Sequence, residues 1–545
     1  MKKILFFAAF LIAAMSQALA CTNLIVGKKA SVDGSTIVSY AADSYGLYGE
    51  LYHFAAGLHP KGEMMSVYDW DSGKYLGEIA QARQTYNVIG NINEFQVTIA
   101  ETTFGGRPEL QDSTGIIDYG SLIYLGLQRS RTAREAIKVM TDLVQEYGYY
   151  SGGESFTIAD PNEIWVMEMI GKGAGVRGAV WVAVRIPDDC ICAHANQSRI
   201  HQFDLNDKEN CIYSADVISF AREKGYFSGK NKDFSFSKAY APLDFGARRY
   251  CEARVWSFFN MFTNQGKELL PYIKGETDQP MPLYVKANRK LSVKDIQTAM
   301  RDHYEGTELD ITNDMGAGMY KMPYRLSPLE FEVNGETYFN ERPISTQQTG
   351  WVFVSQMRAE LPDAVGGVLW FGTDDANMAV FTPVYCCTTE VPECYTMVDG
   401  ADYAHFSWKS AFWIYNWVAN MVYPRYNLMI GDLRATQQEL ENSFLTSQEG
   451  VELVAKKLYE QNPESAVDYL TNYTNMTAQH AFNTWKHLGE YLIVKYVDGV
   501  VHKVDENGKF LRNEIGRPAG VERPGYTKEF LQEYIKSTGE RYKVK

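Results

Sequence analysis

From residue 22 onward the chain is written in short apolar stretches cut by turn-forming residues, a rhythm that predicts strands before it predicts helices. Thr22 to Gly27 and Ser35 to Tyr40 form the first two stretches, and Asp33-Gly34 between them is a hairpin signal. A turn centred between residues 31 and 34 puts the antiparallel partner of Cys21 near residues 42 to 46, a window that contains Asp43. Tyr86 to Glu94 and Phe95 to Ala100 read as strands, the second running into Glu101-Thr102-Thr103-Phe104-Gly105-Gly106, where hydroxyls and paired glycines suit backbone approaching a ligand. Ser155 to Asp160 and Glu163 to Ile170 are joined at Asp160-Pro161-Asn162, a turn with clear chemistry. Cys190 to Ile200 is a further strand ending in amide side chains, and Trp351 to Arg358 and Val365 to Phe371 are two more. Helical spacing appears at Leu122, Leu125, Ala133, Ile137, Met140 and Val144, at Ala247 to Met261, and at Leu291 to Tyr304 with Ser292 as N-cap. Beyond about residue 400 helices dominate: Ser407 to Val422, Ser447 to Gln461 and Pro463 to Lys495. This predicts an α+β body over residues 21–400 and a helical C-terminal extension over 401–545 packed on it, without an internal repeat.

Gly173-Ala174-Gly175-Val176-Arg177-Gly178 has the G-x-G-x-x-G spacing of a dinucleotide site, but a β-type run, Ala179 to Ile186, follows it. Without a helix N-terminus to hold a pyrophosphate the motif loses its mechanism, so it reads as a glycine-rich hairpin.

Residues 1–20 carry Lys2 and Lys3, an apolar run from Ile4 to Met15, and small residues at Ala18 and Ala20, the pattern of a signal peptide cut before Cys21. The run is too short for a membrane-spanning helix, and no later stretch is long enough, so the expectation is an exported chain, periplasmic or extracellular, with no transmembrane segment. A lipoprotein signal that would anchor Cys21 to lipid is the minority reading, since Ala18 stands where such signals carry a larger aliphatic residue. The formal charge of -14 becomes -16 once Lys2 and Lys3 leave, with acids spread along the chain, which argues against nucleic acid as a partner. Seven cysteines remain beside Cys21, leaving room for one or more disulfides. There is no paired C-x-x-C and no H-E-x-x-H, so neither a metal nor another cofactor is expected, and His194 reads as a packed histidine. A homo-oligomer is compatible with the sequence.

A cut before Cys21 would leave a thiol beside a free α-amine, a nucleophile with its own base. An unperturbed α-amine titrates near ~7.7 to 8.0 and a thiol near ~8.5, close enough to exchange a proton. Asn196 is a neutral donor suited to an oxyanion, with an ordinary turn role as the alternative.

Cys21-Thr22-Asn23-Leu24-Ile25-Val26-Gly27, Asp33-Gly34-Ser35, Asp43-Ser44, Gly90-Asn91-Ile92-Asn93-Glu94, Glu101 to Gly106, Asp160 to Trp165 and Ala195-Asn196-Gln197 occur in that order. As an ordered set they resemble the N-terminal-nucleophile cysteine dipeptidases, a family related to secernins and distantly to bile-salt hydrolase and penicillin V acylase. The resemblance covers most of residues 21–400. It implies a four-layer αββα sandwich of mainly antiparallel sheets with the nucleophile at the start of an inner strand. It also implies a dipeptide or other small amide as substrate. By position it assigns Cys21 as nucleophile, Asp43 as its orienting carboxylate, Asn196 and the Thr103 region as oxyanion donors, and an arginine near Arg254, for which Arg248 and Arg249 compete. The relatives commonly have an arginine three residues before the aspartate, where this chain has Tyr40. Another amide hydrolase of bile-salt or N-acyl type, or a lipid-anchored binding protein, are the alternative functions.

Overall fold

A computed structural model describes residues 21–545; the signal-peptide reading of residues 1–20 lies outside the described residues. Two large antiparallel sheets lie face to face among them. The first runs in the order Tyr284–Val285, Ile191–His194, Asn23–Val26, Thr36–Asp43, Thr349–Met357, Val368–Thr373, Thr382–Tyr385. The second runs Cys211–Tyr213, Ala179–Ile186, Ile164–Gly171, Gly153–Ala159, Thr98–Gly105, Ile92–Asn93, Val88–Ile89, His53–Phe54. Both the Asp160 turn and the glycine-rich stretch before Ala179 are hairpin connections in the second sheet.

Each long strand of the second sheet is buried on both faces, so its alternation separates two apolar environments and not core from water. Trp165, Met167 and Met169 point into a cluster shared with Tyr119–Gln128 and Ala133–Tyr147, the helices covering that sheet. Val166 and Ile170 point the other way, into the interface with the first sheet. Thr36 Oγ1 donates across that interface to Asp160 O, and Asn23 Nδ2 donates to Glu101 O at 2.8 Å. The outer face of the first sheet is covered by Ala253–Phe262, Val293–Ala299 and the C-terminal helices Ala411–Val422, Tyr426–Gln461 and Pro463–Lys495. The result is an α+β sandwich in four layers, helix, sheet, sheet, helix. The helices after residue 400 share one apolar cluster with the first sheet, and at about 1.5–3 kcal/mol for each large side chain fully buried, Tyr415, Trp485 and Leu492 tie them firmly to it.

The helix Tyr426–Gln461 starts twenty-one residues ahead of the expected Ser447. Its first half is polar in sequence because buried polar side chains sit on the core-facing side: Glu441 pairs with Arg301 and Lys294, and Gln437 donates to Ala379 O. The strand expected over residues 190–200 stops at His194 because Asn196 turns into the left-handed region at φ 61°. All eight cysteines are unpaired thiols among the described residues. No helix among the described residues is long and apolar enough to cross a membrane.

Candidate active site

The hairpin register sets the site. Ile25 opposes Val38, Val26 opposes Ile37, and Thr22 bridges Ala41; one step further back Cys21 stands opposite Ala42, next to Asp43. Cys21 lies at the floor of a cleft walled by Tyr40, Tyr52, Trp70, Tyr119 and Trp351. Gly120 lets this wall close: a Cβ there would stand 2.4 Å from the Trp70 ring. The Cys21 Sγ is 3.5 Å from the Tyr40 hydroxyl, which donates to Glu101 Oε1 at 2.7 Å. Behind Glu101, Glu154 accepts from Thr103 Oγ1 at 2.7 Å. Toward the surface, Asp71 accepts from Tyr119 OH at 2.9 Å. Desolvation, with Asp69 and Asp118 adding, raises its carboxyl to about 6.

The opposite side of Cys21 is built around a buried guanidinium. A wide turn over Ala247–Glu252 leads into the helix Ala253–Phe262 and carries Arg254 beneath the strand ends. Arg254 Nη1 donates to Cys21 O at 2.7 Å and Thr22 Oγ1 at 2.8 Å, and Nη2 donates to Ala195 O and to Asn196 Oδ1 at 2.9 Å. Asn196 Nδ2 in turn donates to Thr103 O at 2.8 Å. Asn adopts positive φ more readily than most side chains, and here its amide is locked from both ends. Asp43, fully buried, pairs with Arg342 and accepts from Thr349 Oγ1 at 2.6 Å. Burial raises its carboxyl, opposed by Arg342 and Thr349. Burial, with Arg342 beside it, lowers Arg254 to about 10, which leaves it charged at neutral pH. The Cys21 thiol is pushed well up, first by burial and then by the Glu101 and Asp43 carboxylates.

The sequence pattern of peptidase family C69 matches residues 20–56 and 59–439. The chain belongs to peptidase family C69. Among curated proteins it is similar to a "Probable dipeptidase" of Latilactobacillus sakei, 28% identical over 84% of this chain and 94% of that protein. A "Probable dipeptidase" of Salmonella dublin is 28% identical over 71% of this chain and 85% of its own length. "Dipeptidase A" of Lactobacillus helveticus is 24% identical over 78% and 84%.

In this C69 peptidase, four of the five residues singled out from sequence, Cys21, Asp43, Asn196 and Arg254, come together at the end of the central strand pair. Thr103 joins them through its carbonyl, while its hydroxyl is given to Glu154. The rival arginines lie elsewhere in the network: Arg248 pairs with Asp278 and Arg249 with Glu341. His194 is buried between the hydroxyls of Thr102 and Thr157, each 2.7 Å away, and burial lowers it to about 3. Sequence reasoning missed Arg342 and Glu154, and it noted Tyr40 only for the arginine it replaces. The available signal was an acid inside an apolar strand, as in Ile99-Ala100-Glu101, since a carboxylate in such a place must be satisfied by something.

Proposed function

We propose that this C69 peptidase is an exported dipeptidase whose nucleophile is the thiol of Cys21, exposed as the first residue when the chain is cut after Ala20. The observation that carries the reading is the position of Cys21: two residues before the inner strand Asn23–Val26, at the floor of an aromatic cleft, with its own carbonyl held by Arg254. The names of the similar proteins support dipeptides as substrates. Periplasmic or extracellular location follows from the signal-like first twenty residues.

The thiolate attacks the scissile carbonyl and forms a thioester, and the Asn196 carboxamide, oriented by Arg254, stabilises the developing oxyanion. The α-amine of Cys21 donates a proton to the departing nitrogen, and water then releases the acyl group. A dipeptide brings a free ammonium, which suits Asp71, held by the cleft-lining Tyr119. Asp43, fixed by Arg342 and Thr349, orients the nucleophile end.

The test is hydrolysis of a dipeptide panel, alongside N-acyl amides and bile-salt conjugates, by the mature protein and by Cys21→Ala, with the N-terminus sequenced. Dipeptide cleavage that disappears in Cys21→Ala supports the reading. Turnover of the acyl amides alone, or an N-terminus other than Cys21, overturns it.

A further inference from the structure

Two buried acids next to the nucleophile have no role in the scheme above. Several buried carboxylates of this chain are set against a guanidinium, as in Arg199–Glu252, Arg301–Glu441 and Arg358–Glu452. Glu101 and Glu154, both fully buried, form no such pair among the described residues. They sit on adjacent strands, Thr103 opposite Glu154 and Glu101 two residues along on the same face, so the two carboxyl groups meet. Glu101 Oε1 is taken by Tyr40 and Glu154 Oε1 by Thr103; Glu101 Oε2 and Glu154 Oε2 are buried without a hydrogen bond of good geometry, and beyond Tyr40 and Thr103 the side chains close enough to act on Glu101 as donors are Glu154 and the Cys21 thiol. Two ionised carboxylates in contact without a cation repel; one proton between them turns the repulsion into a hydrogen bond.

We propose that Tyr40 and Glu101 form a relay that accepts the Cys21 proton, with Glu154 keeping a proton of its own and donating it to Glu101. This rests on Cys21 being the nucleophile as proposed above. In the resting chain the thiol faces the Tyr40 oxygen, and the Tyr40 hydrogen is committed to Glu101. On attack the S–H bond breaks and its proton passes to the Tyr40 oxygen as the Tyr40 proton passes to Glu101 Oε1. The electron pair stays on sulfur, which becomes the thiolate; Tyr40 ends with one hydrogen as it began, and Glu101 goes from carboxylate to acid, so the charge of the three groups together is unchanged. The α-amine, mostly protonated below its usual ~8, is then left to serve as the acid for the departing nitrogen. Burial holds Glu101 up to about 7 and Glu154 well above its ordinary value, which matches a proton acceptor beside a proton keeper. The titratable groups facing the pair are Cys21 and Tyr40 from the first sheet, Tyr119 and Tyr149 at the ends of the outer helices, and Asp71 from the rim; none is a cation.

The relay is read by the pH dependence of Cys21 alkylation with iodoacetamide in the mature protein, located by peptide mass and needing no substrate. The expected profile has a lower rise near neutral pH, where Glu101 first becomes an acceptor, and a second rise at high pH. Tyr40→Phe, which keeps the ring, and Glu101→Gln should each remove the lower rise and slow labelling at neutral pH on the order of 10²-fold. Glu154→Gln, whose amide still donates to Glu101 Oε2, should move the lower rise without removing it. A profile unchanged in both Tyr40→Phe and Glu101→Gln overturns the relay and leaves the α-amine as the base; failure of Cys21 to label at any pH overturns the relay as well. Because no peptide is used, failure of the dipeptide panel would not touch this result.

Discussion

On one side of Cys21 the buried polar groups are charged and matched: Arg254 against backbone carbonyls and Asn196, Arg342 against Asp43. On the other side they are acids and phenols with no cation among them: Tyr40, Glu101, Glu154, Tyr119. The matched side offsets its desolvation cost with short donor–acceptor geometry and holds one arrangement across neutral pH. The acidic side can satisfy its oxygens only by keeping protons, so its hydrogen bonds depend on pH. A nucleophile between the two has a rigid frame on one flank and a proton store on the other.

The sharpest way to break the comparison is to remove what lies between. Cys21→Ala should abolish hydrolysis while the thermal midpoint moves by no more than a few degrees, because one small strand-end thiol fills little volume. Retained turnover would mean that neither network surrounds a nucleophile. Next comes Arg254→Met, which strands the Cys21 and Ala195 carbonyls and the Asn196 amide oxygen without their donor. It should cost roughly 3–5 kcal/mol in urea unfolding together with activity. Arg254→Lys should rescue only part, since one ammonium cannot replace a fork that serves four acceptors. A fully stable Arg254→Met would show that the matched side is not a frame at all. Asn196→Ala asks a narrower question of the same flank. An oxyanion donor costs on the order of 10² to 10³ in kcat with little change in KM, whereas a turn residue in the left-handed region would lower stability and leave kcat alone.

How much of this was legible beforehand depends on sequence distance. The Cys21–Asp43 neighbourhood could be read because a short connection between Val26 and Thr36, centred between Ser31 and Val32, fixes a register within two dozen residues. The helix Pro463–Lys495 could be read because Pro463 follows the N-cap Asn462 and its apolar stripe is intact. Arg254 could not be separated from Arg248 and Arg249, since the wide turn over Ala247–Glu252 shifts the helical phase between them and nothing in the spelling Ala-Arg-Arg-Tyr-Cys-Glu announces it. Arg342 reaches Asp43 across 299 residues, and Glu154 reaches Thr103 across 51. Such partners are set by sheet order, which no local pattern encodes. Tyr40 was visible as a departure, but its meaning needed Glu101 beside it.

The smallest effect lies on the acidic flank and concerns stability. Because Glu101 is raised in the folded chain to about 7, the fold prefers its proton. That contribution is complete below the unfolded value near ~4.3 and is lost as pH climbs through about 7, after which it is flat. Glu101→Gln carries no titration, so its stability relative to the parent should improve between pH 4.5 and 7, by roughly 1 to 3 kcal/mol, and stop improving above. Using the difference between two chains removes the groups that do not touch Glu101, such as His194, held down to about 3 by burial, and Glu168, raised to about 7, which change both alike. The same scan on Asn196→Ala should give a difference that does not vary with pH, because the partners of its amide, the Arg254 guanidinium and the Thr103 carbonyl, do not titrate in this range. If the two differences ran parallel, the acidic flank would be as fixed in charge as the matched one, and the contrast between them would reduce to composition.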